Sequence, residues 1–119
     1  MKRPRPPSTA RTTERLGDPA GVFAALGDPT RLALVTRLAA AGPQTVTRLT
    51  RRSGVTRQAV TKHLGVLERA GLVRARRSGR ERLWQVEPER LVQTRRYLET
   101  ISAQWDDALE RLKTFAEQS

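Results

Sequence analysis

The sequence predicts a mainly α chain with one small β-hairpin, in which about five helices include a helix-turn-helix followed by a two-stranded wing. Three observations predict it. Thr56 to Ala70, TRQAVTKHLGVLERA, reads as one amphipathic helix with both ends marked. Just before it, Ser53-Gly54-Val55 forms a three-residue turn from another short helical stretch, the spacing of a helix-turn-helix. Just after it, LVRARRSGRERLWQV alternates apolar and polar residues about Ser78-Gly79, which is strand spacing around a hairpin turn.

Taken in order, residues 1–17 carry three Pro and four basic residues before position 12, with one large aliphatic residue after Met1. That composition predicts a disordered basic arm. The core is expected over 18–87. Asp18-Pro19 and Asp28-Pro29 each open a helix, because Asp caps orphan N–H groups and Pro suits the first helical position. The first runs through Val22, Phe23 and Leu26; the second through Leu32, Val35, Leu38 and Ala39, stopped by Gly42-Pro43. Thr45 caps a third, short helix holding Val46 and Leu49.

In the fourth helix Thr56 is the cap, with Val55 and Val60 spaced as a hydrophobic staple. Gly71 then allows Leu72 to fold back on Leu67 in a Schellman stop. Val60, Leu64 and Leu67 form its apolar stripe. The opposite face carries Gln58, Thr61, Lys62, Gly65 and Arg69, which are hydrogen-bonding and cationic groups without a carboxylate. Such a face suits a negative surface. In the hairpin, Val73 and Ala75 alternate with Arg74 and Arg76, Trp84 and Val86 share a face, and Arg76, Arg77, Arg80 and Arg82 surround the tip.

Residues 88–119 predict a last helix opened by Pro88 and running to about Phe115. Leu91, Leu98, Ile101, Trp105, Ala108, Leu112 and Phe115 follow a heptad alternation broken only at Thr94. So long a seam exceeds the needs of one small core. It predicts a dimeric protein with Leu91, Leu98, Ile101, Trp105, Leu112 and Phe115 at the interface.

The formal charge of +11 points to a polyanion, nucleic acid before membrane. Residues 19–88 hold thirteen basic and four acidic residues, net +9, whereas residues 89–119 hold five and six, net −1. The middle of the chain is therefore the anion-facing part. Twenty of the 23 basic residues are Arg, suited to bidentate phosphate and guanine contacts, though an Arg-rich codon usage explains the excess equally well.

With no Cys, disulfides, thiolate metal sites and thiol redox sensing are excluded. The one His, His63, has no second His or Cys beside it, so neither a metal cluster nor a nucleophile pair is expected. Asp106, Asp107 and Glu110 cluster on the last helix, but Arg111 and Lys113 adjoin them and a solvated face is the simpler reading. No cofactor and no catalytic site are expected. No run approaches the ~18 apolar residues of a membrane span, and no signal-peptide core is visible. The expected location is the cytoplasm, with the nucleoid.

Together these pieces resemble the arsenical-resistance-repressor family (ArsR/SmtB-like) of bacterial winged-helix regulators, over roughly Ala20 to Phe115. The resemblance rests on Ala25-Leu26-Gly27-Asp28-Pro29-Thr30-Arg31, on Gln58-Ala59-Val60-Thr61-Lys62-His63-Leu64, and on Leu67-Glu68-Arg69-Ala70-Gly71-Leu72-Val73 followed by the wing. It implies a homodimer, paired through its first and last helices, that sits on an inverted-repeat operator and represses transcription. The chain departs from the metal-sensing branch, since Val46 to Arg52 lacks the Cys motif and the last helix lacks His. Ser53 also stands where the family often has a large aliphatic residue, so a looser turn is expected there.

The reading is a sequence-specific, double-stranded-DNA-binding repressor, and whether a small-molecule effector exists stays open. Gln58, Thr61 and Lys62 would face base edges, and Thr56 and Arg57 the adjacent backbone. His63 would pack or touch phosphate, and the wing arginines Arg76, Arg77, Arg80 and Arg82 would hold phosphates or probe the minor groove. Two rivals stay open: a sequence-independent DNA- or RNA-coating protein, and a protein-interaction adaptor on the same fold.

Overall fold

The computed structural model describes residues 18–118, so the basic arm expected over 1–17 lies outside the described residues. Five helices and two strands follow in the order α1 (Pro19–Leu26), α2 (Pro29–Ala41), α3 (Val46–Arg51), α4 (Arg57–Arg69), β1 (Val73–Ser78), β2 (Glu81–Val86) and α5 (Pro88–Gln118).

Four helices start by one device. The side chains of Asp18, Asp28, Thr45 and Thr56 each accept from the backbone N–H three residues on, at 3.1, 3.0, 3.2 and 3.0 Å. Each satisfies one of the orphan donors of a helix start. The stop of α4 is also as the sequence reads. Gly71 lies at φ 80°, its N–H donates to Glu68 O (2.9 Å), and the Leu72 N–H donates to Leu67 O (3.0 Å). These are the two bonds of a Schellman motif.

β1 and β2 pair antiparallel in the register Val73↔Val86 and Ala75↔Trp84, which puts all four on one face. The loop is Gly79-Arg80, one residue later than read from the sequence, and Ser78 is the last residue of β1. Gly79 has φ 64°, the sign a two-residue hairpin loop needs at its first position. Gln44 adds a third edge through paired bonds with Trp84, N to O at 3.0 and 2.8 Å. The wing is thereby tied to the segment that leads into α3.

The core joins Val22 and Ala25 of α1 to Leu34, Val35 and Leu38 of α2, Leu49 of α3, Val60, Leu64 and Leu67 of α4, Leu72, and Val73 and Trp84 of the hairpin. α2 is central, packed against α1, α4 and β2. Its buried face is Leu34, Val35 and Leu38, whereas Leu32 is 50% exposed and Ala39 is exposed. A helix ringed by three elements buries whichever residues those elements cover. Periodicity supplies the spacing and leaves the rotation open.

α5 runs to Gln118, three residues past the expected end. Its start is docked by Leu91, which packs on the core, and by Arg90, which is 4% exposed. Leu91, expected at a dimer interface, is thus partly covered within its own chain, because it lies in the first turn of α5. A Cβ on Gly71 would sit 2.7 Å from Nη2 and 2.9 Å from Nε of Arg90. Gly71 is thus required twice, by its φ and by the guanidinium lying over it. Further along, Leu98 and Leu109 are exposed, and Trp105, Leu112 and Phe115 are 67%, 63% and 70% exposed. Only the first turns of α5 rest on the core of their own chain.

Candidate nucleic-acid interface

The stripe Val60, Leu64 and Leu67 is fully buried, which fixes the rotation of α4 and leaves Thr56, Arg57, Gln58, Thr61, Lys62 and Arg69 outside. Among the described residues the side chains of Gln58 and Lys62 have no hydrogen-bond or ion-pair partner and remain available to a ligand. Thr61 is different. Its hydroxyl donates to Arg57 O at 3.0 Å, so the methyl is the group left for an outside contact. Arg57 reaches back to α3, where its Nη1 donates to Thr47 Oγ1 at 2.6 Å.

His63 stands apart from its expected companions. It flanks the buried stripe, with a side chain 22% exposed, and its ring faces the junction of α1 and α2. Nδ1 lies 3.3 Å from Arg31 Nη1 and 4.0 Å from Asp28 Oδ2. Arg31 also donates from Nε to Ala25 O at 2.6 Å, so that one side chain joins the end of α1 to α4. The backbone N–H of Arg31 holds the Asp28 carboxyl below the usual carboxylate range, helped by the His63 and Arg31 side chains against a smaller desolvation effect. The geometry gives His63 a place in an internal brace. The Ala25-to-Arg31 motif is the chain that builds it.

The turn before α4 is held by a polar side chain. The Ser53 hydroxyl accepts from Val55 N at 3.1 Å and lies 3.0 Å from Thr50 O and 3.2 Å from Val55 O. A polar cross-link thus replaces an aliphatic plug, with Gly54 at φ 76° completing the bend. The serine holds the turn by hydrogen bonds rather than by apolar packing.

The four wing arginines divide into two pairs. Arg76 Nε donates to Gln85 Oε1 at 2.7 Å, and the guanidinium of Arg82 lies 5.1 Å from the centre of the Trp84 ring. Both are held by the hairpin itself. Arg77 and Arg80 are exposed and, among the described residues, have no such partner. Arg76, Arg77 and Arg82 share a shallow cleft of about 320 Å³ with Glu68 at the end of α4.

A larger cleft, about 730 Å³, opens between α3, the start of α4 and β2. Arg48, Arg51, Arg57, Arg80 and Arg82 line it against a single carboxylate, Glu81, with Thr45 and Thr47 at its edge. Sequence reasoning missed Arg48 and Arg51. Their signal was present as Arg48, Arg51 and Arg52 at i, i+3 and i+4 on one face of a short helix, but nothing local says that this face meets the wing. The Gln44–Trp84 pairing is what brings them together.

Residues 26–76 match a helix-turn-helix domain family. The HTH-type transcriptional regulator Rv2034 of Mycobacterium tuberculosis is 42% identical over 102 residues, 86% of each chain. The structure of an ArsR-like transcriptional regulator from Rhodococcus sp. RHA1 superposes with a TM-score of 0.70 at 41% identity, covering 88% of this chain and 95% of that one. A possible transcriptional regulator for arsenical resistance follows at 0.63 and 37%, covering 77% and 92%.

The chain belongs to the ArsR-like helix-turn-helix transcriptional regulators. In this regulator the helix-turn-helix is α3 and α4, the wing is β1 and β2, and the family's work is DNA binding rather than catalysis. No helix among the described residues is long and apolar enough to cross a membrane.

Proposed function

We propose that this regulator is a homodimeric repressor that reads an inverted-repeat operator with α4 in the major groove, in the cytoplasm with its DNA. The observation that carries the reading is the exposed face of α4, where Gln58 and Lys62 are unpaired and Thr61 turns its hydroxyl inward. Gln58 is the second helical residue, at the end that a helix-turn-helix presents to base edges. Its amide matches adenine N6 and N7 together, a bidentate contact that discriminates by ~1–3 kcal/mol. The Thr61 methyl suits a thymine methyl, and Lys62 reaches guanine or phosphate.

Thr56, Arg57, Arg48, Arg51, Arg77 and Arg80 would meet the sugar-phosphate backbone, which positions a protein without specifying sequence. The exposed apolar residues of α5 support the dimer, since a second copy would cover them. That no Cys exists anywhere, and no His on α5, supports a signal other than a metal at the family's metal sites.

Binding-site selection on the wild type and Gln58→Ala side by side is the test. The variant should lose preference at one base pair in each half-site and keep its non-specific affinity. Identical preferences at every position would remove the direct-readout role. No preference from either protein would favour the coating reading instead.

A further inference from the structure

The arginine-lined cleft between α3, α4 and the wing contains one guanidinium that is tied across the helix-turn-helix. Thr47 of α3 is exposed, and its Oγ1 accepts from Arg57 Nη1 at 2.6 Å. Both residues line the cleft, and Arg57 is the first residue of α4, next to Gln58. Among the described residues the side chains of Arg48, Arg51 and Arg80 in the same cleft have no partner. The base on which Thr47 sits is itself held. Arg37 of α2 donates from Nη1 to Leu49 O at 2.6 Å and from Nη2 to Arg48 O at 3.0 Å, and Leu49 is fully buried. One planar guanidinium with two bonds thus fixes α3 against α2.

The tie between Thr47 and Arg57 leaves the charge free. A hydroxyl orients a guanidinium without cancelling it, as a carboxylate would. Nη1 spends one N–H on Thr47, and the edge formed by Nε and Nη2 stays whole. That edge can meet two oxygens of one phosphate through parallel bonds. An untied arginine gives up rotamer freedom when it makes such a contact, whereas Arg57 is already ordered by the fold.

We propose that Thr47 is a positioning residue that makes Arg57 a fixed, two-bond clamp on one backbone phosphate in each half-site, with Arg48, Arg51 and Arg80 serving as mobile charges. The inference rests on the proposed operator reading and adds to it the device that sets its register. Backbone contacts position a protein and base contacts specify its sequence. A phosphate held at the first residue of α4 fixes where Gln58, the next residue, meets the base edges. Operator binding needs that register. On unrelated DNA each charge finds a phosphate by its own rotamer, so a fixed arginine brings little there.

The test uses the full chain on its selected operator and on an unrelated duplex, with each operator phosphate replaced in turn by an uncharged methylphosphonate. In the wild type one replacement per half-site should weaken binding about tenfold or more, the worth of hydrogen bonds to a charged group, and Arg57→Ala should be insensitive there. Thr47→Val keeps every charge, so its salt slope should equal that of the wild type, whereas Arg57→Ala should lose ~0.9. Thr47→Val should still bind operator about three- to tenfold more weakly, the effect of one long side chain no longer ordered in advance. It should bind unrelated duplex within about twofold of wild type, because the charge is unchanged, and lose most of its sensitivity at the Arg57 phosphate. Thr47→Ser, which keeps the hydroxyl, should restore operator affinity and that sensitivity, and circular dichroism checks that each variant is folded. If Thr47 only joins α3 to α4, Thr47→Val will weaken both duplexes together and keep the wild-type phosphate pattern; that result, or a Thr47→Ser that behaves like Thr47→Val, overturns the proposal. A protein that selects a sequence but shows no Arg57-dependent phosphate loses the clamp alone. A protein that selects no sequence loses the repressor function, and with it the register that the clamp would set.

Discussion

Two pairs of wing arginines of equal charge should behave differently, because Arg76 and Arg82 are engaged within the hairpin and Arg77 and Arg80 are not. The perturbation is two double variants, Arg77→Gln with Arg80→Gln and Arg76→Gln with Arg82→Gln. Removing one arginine–phosphate interaction should reduce the slope of log affinity against log salt by ~0.9, so the slope of the first variant should fall by ~1.8. Between 50 and 200 mM salt the wild type should then lose about twelvefold more affinity than this variant does. Its stability should stay within ~0.5 kcal/mol of wild type, as for other surface changes.

The second variant removes a hydrogen bond worth ~0.5–1.5 kcal/mol and a cation–π interaction worth ~0.5–1 kcal/mol at an exposed site. It should therefore lose roughly 1–2.5 kcal/mol of stability and change the slope by less. Fluorescence anisotropy across a salt series on operator and unrelated duplex reads the slopes, and urea denaturation reads the stability. Equal slope reductions in both variants would show that the hairpin interactions do not sort the arginines, and would refute the reasoning.

Three further outcomes are expected. Gly71→Ala should cost ~1–2 kcal/mol for its left-handed backbone and more for displacing Arg90; in urea melts Arg90→Ala should recover the second part and not the first. Trp105→Glu with Leu112→Glu should convert the proposed dimer to monomers by light scattering while leaving the melting of the winged core nearly unchanged, since both side chains are exposed in one chain; a monomeric wild type removes the dimer, and a dimeric variant places its interface elsewhere. Because the Asp28 carboxyl is held below its ordinary value in the folded state, its contribution is fully present above the unfolded value of about 3.9 and disappears as pH falls through the folded one. The stability gap between wild type and Asp28→Asn, which keeps a competent cap, should thus shrink as pH falls below about 4. A gap that grows as pH falls below about 4 would reverse the sign.

Much of this regulator is legible in its sequence, for a physical reason. Caps, stops and stripes are short-range devices: a Thr or Asp reaches an N–H three residues away, and a Gly can adopt the φ that ends a helix. The four caps, the Schellman stop at Gly71, the buried stripe Val60–Leu64–Leu67 and the shared face of Trp84 with Val86 needed no knowledge of neighbours, whereas the hairpin register, shifted by one residue, did. The cationic outer face of α4 follows from the same stripe, since burying one side of a helix exposes the other.

What only the tertiary structure decided involves groups far apart in the chain. Which face of α2 is covered depended on α1, α4 and β2 together, so Leu34 went inside and Leu32 did not. His63 looked like a member of the DNA-facing set, and it was Arg31 and Asp28, more than thirty residues earlier, that drew its ring inward. Arg48 and Arg51 became part of an arginine-lined cleft only because Gln44 pairs with Trp84 and swings the wing over α3. Local chemistry sets where each element begins, ends and turns its apolar side; which charged side chains are engaged and which stay available is settled by packing between elements.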